Sequence, residues 1–229
     1  MTTNTPQEET RQTFHEVLEG VRRDTIAVGA LVLENAQRVA EALLENRLDL
    51  AAVVIDADDE VDERYIELEH RVFEILARQQ PVAGDLRFLV SITRMLYEIE
   101  RSGDLAVNCA KGLIRRDGYT MPAEVHSILA RMTRSSVELF GKSLDAFGEM
   151  DGTAGEWLDA EDDVVDDLVS DFYGAIATVS NDLGLDLAIE LSRIGRYFER
   201  IADHAVNIGE HVTFIVTGEF PEADTSEGS

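Results

Sequence analysis

Cysteine occurs once in the 229-residue chain, at Cys109. An intramolecular disulfide and a cysteine-built zinc site are therefore excluded, and Cys109 reads as a small core residue. Proline is nearly as scarce: Pro6, Pro81, Pro122 and Pro221 each stand where a helix begins or order ends. Lysine is rarer still. Of 20 basic residues only Lys111 and Lys142 are lysines, set against 46 acidic residues and a net charge of −26. Such a surface repels phosphate backbones and anionic headgroups, which argues against nucleic acid as a partner and against direct membrane binding. It suits cations or basic patches on a partner protein, and it serves equally for solubility or a salty cytoplasm. Long hydrophobic runs are missing too. The longest, residues 26–33, falls far short of a bilayer. The polar first twelve residues lack a signal-peptide core, so a cytoplasmic location is expected. Finally, there is no phosphate-binding Gly-rich loop with Lys-Ser/Thr, no His-Glu-x-x-His and no Gly-x-Ser-x-Gly, which points away from an enzyme.

What is present is helical periodicity. Apolar residues make up 45% of the chain, enough to argue against general disorder. From Phe14 to Leu43 they recur three or four apart through Leu18, Val21, Val28, Val32 and Val39, the stripe of a long helix packed in a bundle. A second run spans Leu50 to Ile75 and a third Leu89 to Leu113, with a turn at 79–86. The stretch 115–122 breaks the chain near its middle. Three more runs follow, from about Pro122 to Met150, Leu158 to Val179 and Leu187 to Ile215, with turns at 151–155 and 180–184. No segment alternates with period two over a useful length, so no strand is expected. The fold class predicted is all-α: six long helices in two tandem three-helix bundles, internally duplicated. The expected division is a disordered N-terminus at 1–10, bundles at 11–116 and 117–218, and a disordered acidic tail at 219–229.

The duplication is written in the residues. "IERSGDLAVN" at 99–108 and "FERIADHAVN" at 198–207 share Glu, Arg, Asp, Ala, Val and Asn in register. The second helix of each half carries Asp-x-x-Val-Asp, at 58–62 and 162–166. Each half thus offers two acidic pairs at i,i+4 spacing: Asp58/Asp62 with Glu100/Asp104, then Asp162/Asp166 with Glu199/Asp203. Residues four apart share a helix face, and these rows border the apolar stripe. If the second and third helices of a half pack side by side, both rows line one groove. A like-charged pair on an exposed helix costs only ~0.2–0.5 kcal/mol. Four carboxylates within ~5 Å of one another cost about 3 kcal/mol per contact at an effective dielectric near 20. Such a cluster holds protons or recruits a cation, and carboxylate oxygens suit magnesium, calcium, manganese or iron. The bland alternative is a solvated acidic face. Asn108 and Asn207, one turn further along, are candidates for an amide oxygen or a supporting hydrogen bond. Arg101 and Arg200 are expected to pair with acids on the neighbouring helix. His204 has no counterpart in the first half, where Leu105 stands. A lone Glu-x-x-His at 67–70 falls short of the two that a ferritin-type di-iron bundle needs, which leaves a carboxylate-bridged metalloenzyme as the weaker alternative beside a purely structural acidic bundle.

Residues 79–113, "QQPVAGDLRFLVSITRMLYEIERSGDLAVNCAKGL", and 191–221, "LSRIGRYFERIADHAVNIGEHVTFIVTGEFP", resemble the two signature segments of the PhoU family, the phosphate-specific transport system accessory proteins. The resemblance covers roughly 11–220. It implies two three-helix bundles and multinuclear iron or zinc clusters held by Asp58, Asp62, Glu100 and Asp104 and by Asp162, Asp166, Glu199 and Asp203. His204 keeps a histidine frequent in the family, and Leu105 departs from it. The resemblance also implies a role: a cytoplasmic adaptor between the ATPase subunit of a phosphate ABC transporter and a sensor histidine kinase. In that role it represses the phosphate-starvation response through two-component signalling and restrains uptake. Long exposed helices add a homodimer to the expectations.

Overall fold

The computed structural model describes residues 6–219, with side chains from Phe14 onward. Every element in it is a helix: α1 (Pro6–Glu45), α2 (Leu48–Asp56), α3 (Asp58–Gln79), α4 (Ala83–Arg115), α5 (Ala123–Glu149), α6 (Ala154–Leu183) and α7 (Leu185–Thr217). α1 begins at Pro6, inside the stretch 1–10 set aside as disordered; a proline in the first helical turn lacks only a donor that would be unpaired there anyway. Residues 1–5 of that stretch, and the acidic tail beyond residue 219, lie outside the described residues.

The second of the six rods is the one that differs from its expected form. It is divided at Ala57 into α2 and α3, whereas α6 fills the same place in the second half unbroken. Ala57 stays near helical geometry (φ −79°, ψ −10°), and its N–H still bonds Val53 O at 3.0 Å. The break makes Asp58 the first residue of a new helix, where a carboxylate faces the positive end of the dipole. Both α2 and α3 pack on α1 and α4.

The apolar stripes meet as the spacing requires. Val21, Val32, Val39, Leu43, Leu89, Ile92, Leu96, Ile99 and Leu113 are sealed in the first half, and Leu129, Phe140, Phe147, Leu158, Phe172, Leu191, Phe198 and Ile208 in the second. Full burial of one such side chain stabilises by roughly 1.5–3 kcal/mol. Two glycines set the spacing of α6 and α7. Gly184 takes φ 76°, ψ 150°, which compresses the connection to one residue. Gly209 lies so close to α6 that a Cβ would strike the Leu158 side chain and stand 3.1 Å from Ala154 O.

The halves share one hydrophobic core. α4 runs antiparallel to α7. Arg87 Nε donates to Ile215 O at 3.1 Å near one end, and Arg115 reaches Glu190 at 3.0 Å near the other. α1 runs against α5 in the same way: Arg22 donates to Gly148 O at 3.0 Å, and His126 Nε2 meets Leu44 O at 3.0 Å. The loop between the halves is pinned by Asn46, whose amide donates to Tyr119 O at 2.8 Å and accepts from Tyr119 N at 2.6 Å. The two acidic grooves therefore sit on helices that share one packed core.

Candidate metal centre: two carboxylate ladders

In the first half α3 and α4 pack side by side and bring the predicted rows together. Burial, then the charge of Asp62, pushes the Asp58 carboxyl above the usual carboxylate range; Asp104 adds to this and Lys111 opposes it. Burial, then Asp104, does the same to Glu100, with Asp62 and Asp58 adding and Arg101 opposing. Across the two helices the charge of Asp62 reaches Glu100 and that of Asp104 reaches Asp58. Glu100 keeps 20% of its side chain exposed and Asp104 41%, so the ladder is open on one side to solvent.

α6 and α7 repeat the arrangement at greater depth. Asp162 is pushed up to about 7, first by burial, then by Asp166 and Asp203. Its Oδ1 is sealed from solvent without a hydrogen-bond partner, an arrangement that leaves a desolvated acceptor seeking a proton or a cation. Burial followed by Glu199 and Asp203 raises Asp166. Burial also raises Asp203, with Arg196 opposing and Glu199 adding.

The supporting residues fall out differently. Arg101 does not cross to the neighbouring helix; it pairs along α4 with Asp104 at 3.0 Å and Glu100 at 3.4 Å and lies over Tyr97. In the second half Arg196, not Arg200, bonds Glu199, at 2.6 Å; the charge of Arg200 reaches Asp203 and favours its ionised form. Asn108 is exposed. Asn207 turns away from the ladder, donating to Glu98 Oε2 at 3.3 Å. His204 Nδ1 also donates to Glu98 Oε2 and leaves its buried Nε2 without a partner. Burial alone would raise Glu98, but the hydrogen bond and charge of His204 and the Asn207 amide outweigh it and hold the carboxyl below its ordinary value. Sequence reasoning missed Glu98 because its counterpart in the second half is Tyr197, so the duplication gives no signal for it. Burial, then Arg94, lowers His211. Cys109 is fully enclosed and burial pushes its thiol up, as for a core residue. Trp157 is half-buried and its indole donates to Asp151 at 3.0 Å.

Among the described residues no three His, Cys, Asp or Glu side chains already close into a ligand set. The donors present nevertheless suit a hard or borderline cation: carboxylates on facing helices, proton affinity raised first by burial and then by mutual repulsion, and the orphaned Oδ1 of Asp162.

A duplicated three-helix bundle with a carboxylate ladder in each copy defines the class of protein. The family model described as "PhoU domain" matches residues 26–113 and 129–212. The chain belongs to the PhoU family. It is 34% identical over 220 residues to "Phosphate-specific transport system accessory protein PhoU homolog 1" of Mycobacterium leprae, covering 96% of this chain and 99% of that protein. It is 32% identical to a "PhoU homolog" of Synechocystis, covering 91% and 93%. The crystal structure of PhoU from Pseudomonas aeruginosa superposes with a TM-score of 0.84 at 27% identity, covering 90% of this chain and all of that one. No helix among the described residues is long and apolar enough to cross a membrane.

Proposed function

We propose that this chain is a regulatory accessory protein of a phosphate-specific transport system. It acts in the cytoplasm as an adaptor between the transporter ATPase subunit and a sensor histidine kinase, restraining uptake and the phosphate-starvation response. The observation that carries the reading is the full-length likeness to proteins named as accessory proteins of that system. It is supported by the all-helical fold shared with crystal structures of PhoU.

The ladders would hold iron or zinc, with magnesium, manganese or calcium as further candidates. Asp58, Asp62, Glu100 and Asp104 are the ligands in one half, and Asp162, Asp166, Glu199 and Asp203 in the other. A bound cation supplies positive charge that cross-links two helices of a bundle. Asp162 presents a buried oxygen opposite the half-buried Asp203, while Arg196 and Arg101 steer Glu199 and Glu100 from the solvent side. Helix faces outside the ladders dock the partners, and dimerisation would double those faces.

The test is reconstitution. The full chain, incubated with purified ATPase subunit and with the kinase cytoplasmic region in phosphate-replete buffer, is expected to co-elute with each. Retention of neither contradicts the adaptor reading.

A further inference from the structure

α4 and α7 carry the same exposed stripe beside the ladders. Leu86, Val90, Arg94, Tyr97 and Arg101 recur in register as Leu185, Ile189, Arg193, Arg196 and Arg200. Steps of four, four, three and four residues keep each set on one helix face. All of the α4 set is exposed, and all of the α7 set except the half-buried Arg200. Leu86 is 42% exposed, Val90 40%, Leu185 74% and Ile189 51%. A single exposed aliphatic is ordinary, but here a pair stands one turn apart at matching positions in both halves. The charge is equally out of character. Among the described residues α4 is the one helix in which bases outnumber acids, five to four, whereas α6 holds nine acids and no base. Arg101, Arg193 and Arg196 are partly engaged by acids of their own helix. Arg94 makes no ion pair with a carboxylate of the described residues; its charge is felt by His211. Arg101 lies over the Tyr97 ring at 5.3 Å and Arg193 over Tyr197 at 5.9 Å, which orders both guanidinium groups in advance.

Resting on the adaptor reading given above, we propose that each stripe is a docking face for an acidic amphipathic helix of a partner protein. Leu86 and Val90 on α4, and Leu185 and Ile189 on α7, cover the apolar side of that helix. The arginines further along meet its Asp and Glu side chains. From Leu86 to Arg101 the stripe runs about 22 Å at 1.5 Å per residue, the length of roughly four helical turns. Charge selects the occupant. A basic helix is repelled by Arg94 and Arg101. A second copy of this chain, at net charge −26, is repelled by the surface around the stripe. A short acidic helix is repelled everywhere except here, and that fixes where it lands. The duplication supplies two such faces, so one molecule holds two partner helices at once.

The experiment uses the full chain with the purified transporter ATPase subunit and the purified kinase cytoplasmic region. L86D/V90D, L185D/I189D and R94E are each expected to weaken retention of at least one of these proteins by about tenfold or more. V53D, on the exposed side of α2 and outside both stripes, should leave retention unchanged. A photo-reactive benzoylphenylalanine in place of Val90 or Ile189 should cross-link to a helical segment whose Asp and Glu recur three or four apart. A pair of substitutions that weakens neither complex overturns the face it lies on and leaves the adaptor reading standing. Weakening by V53D equal to that of the stripe variants does the same for both faces. So do cross-links to a basic segment, to a non-helical one or to a second copy of this chain. Retention of neither protein by the unsubstituted chain overturns the adaptor reading and both faces with it. Where a charged variant melts below the unsubstituted chain, the cross-links decide, since they replace only exposed side chains.

Discussion

Asp162 carries the largest electrostatic load of any residue in the second ladder. Its folded pKa of about 7 stands above the ordinary 3.8. A raised carboxylate favours the protonated fold, so its penalty is absent below about pH 4, grows as pH rises through the window from 3.8 to about 7, and is full above it. Asn mimics the protonated form. D162N in metal-free buffer should therefore melt higher than the unsubstituted chain at pH 8, by about 1–3 kcal/mol of stability after allowing for solvent screening. The gap should narrow towards pH 5, and the same variant should lose bound cation. Thermal melts across pH check the first outcome and elemental analysis the second. Glu98 behaves in the opposite sense. Its carboxyl is held below its ordinary value, so its contribution is present above the unfolded value and is lost as pH falls through the folded one. E98Q should lower stability at pH 7 by about 1.5–3 kcal/mol and flatten the acid limb of the stability curve. The acidic pairs at 58/62, 100/104, 162/166 and 199/203 were legible in the sequence because i,i+4 spacing fixes a helix face. Glu98 was not, because a single acid beside an apolar stripe looks the same whether it meets water or a histidine from the other half.

At the scale of the element, the helices follow their apolar stripes, and the departures have local causes. Residues 48–79 keep one continuous pattern, yet the helix restarts at Asp58. Hydrophobic period alone does not distinguish a straight helix from two that share a stripe. The turn at 180–184 shrinks to Gly184 because only glycine holds its φ and ψ. G184A should cost about 1–3 kcal/mol, measured by urea unfolding. Full stability in that variant would mean that α6 and α7 do not depend on this compressed link. Gly209→Val should be similarly harmful, by overpacking against Leu158 and the Ala154 carbonyl.

The whole molecule is a duplicated frame whose halves are joined along α4 and α7. The tandem architecture was legible because both acidic phrases and their order repeat. The joint was not, because contacts such as Arg87 with Ile215 O and Glu98 with His204 have no sequence spacing to announce them. Both ladders are carried on helices of this joint, α4 and α7, so the proposed cations would act on the same helices that join the halves. The measurement that tests this account most directly is anomalous diffraction from crystals of the full chain soaked in iron or zinc, with D104A and D203A alongside. The account predicts metal peaks between α3 and α4 at Asp58, Asp62, Glu100 and Asp104 and between α6 and α7 at Asp162, Asp166, Glu199 and Asp203, each lost in the matching variant. Clean maps at both grooves, with the carboxylates turned outward into solvent, would contradict it.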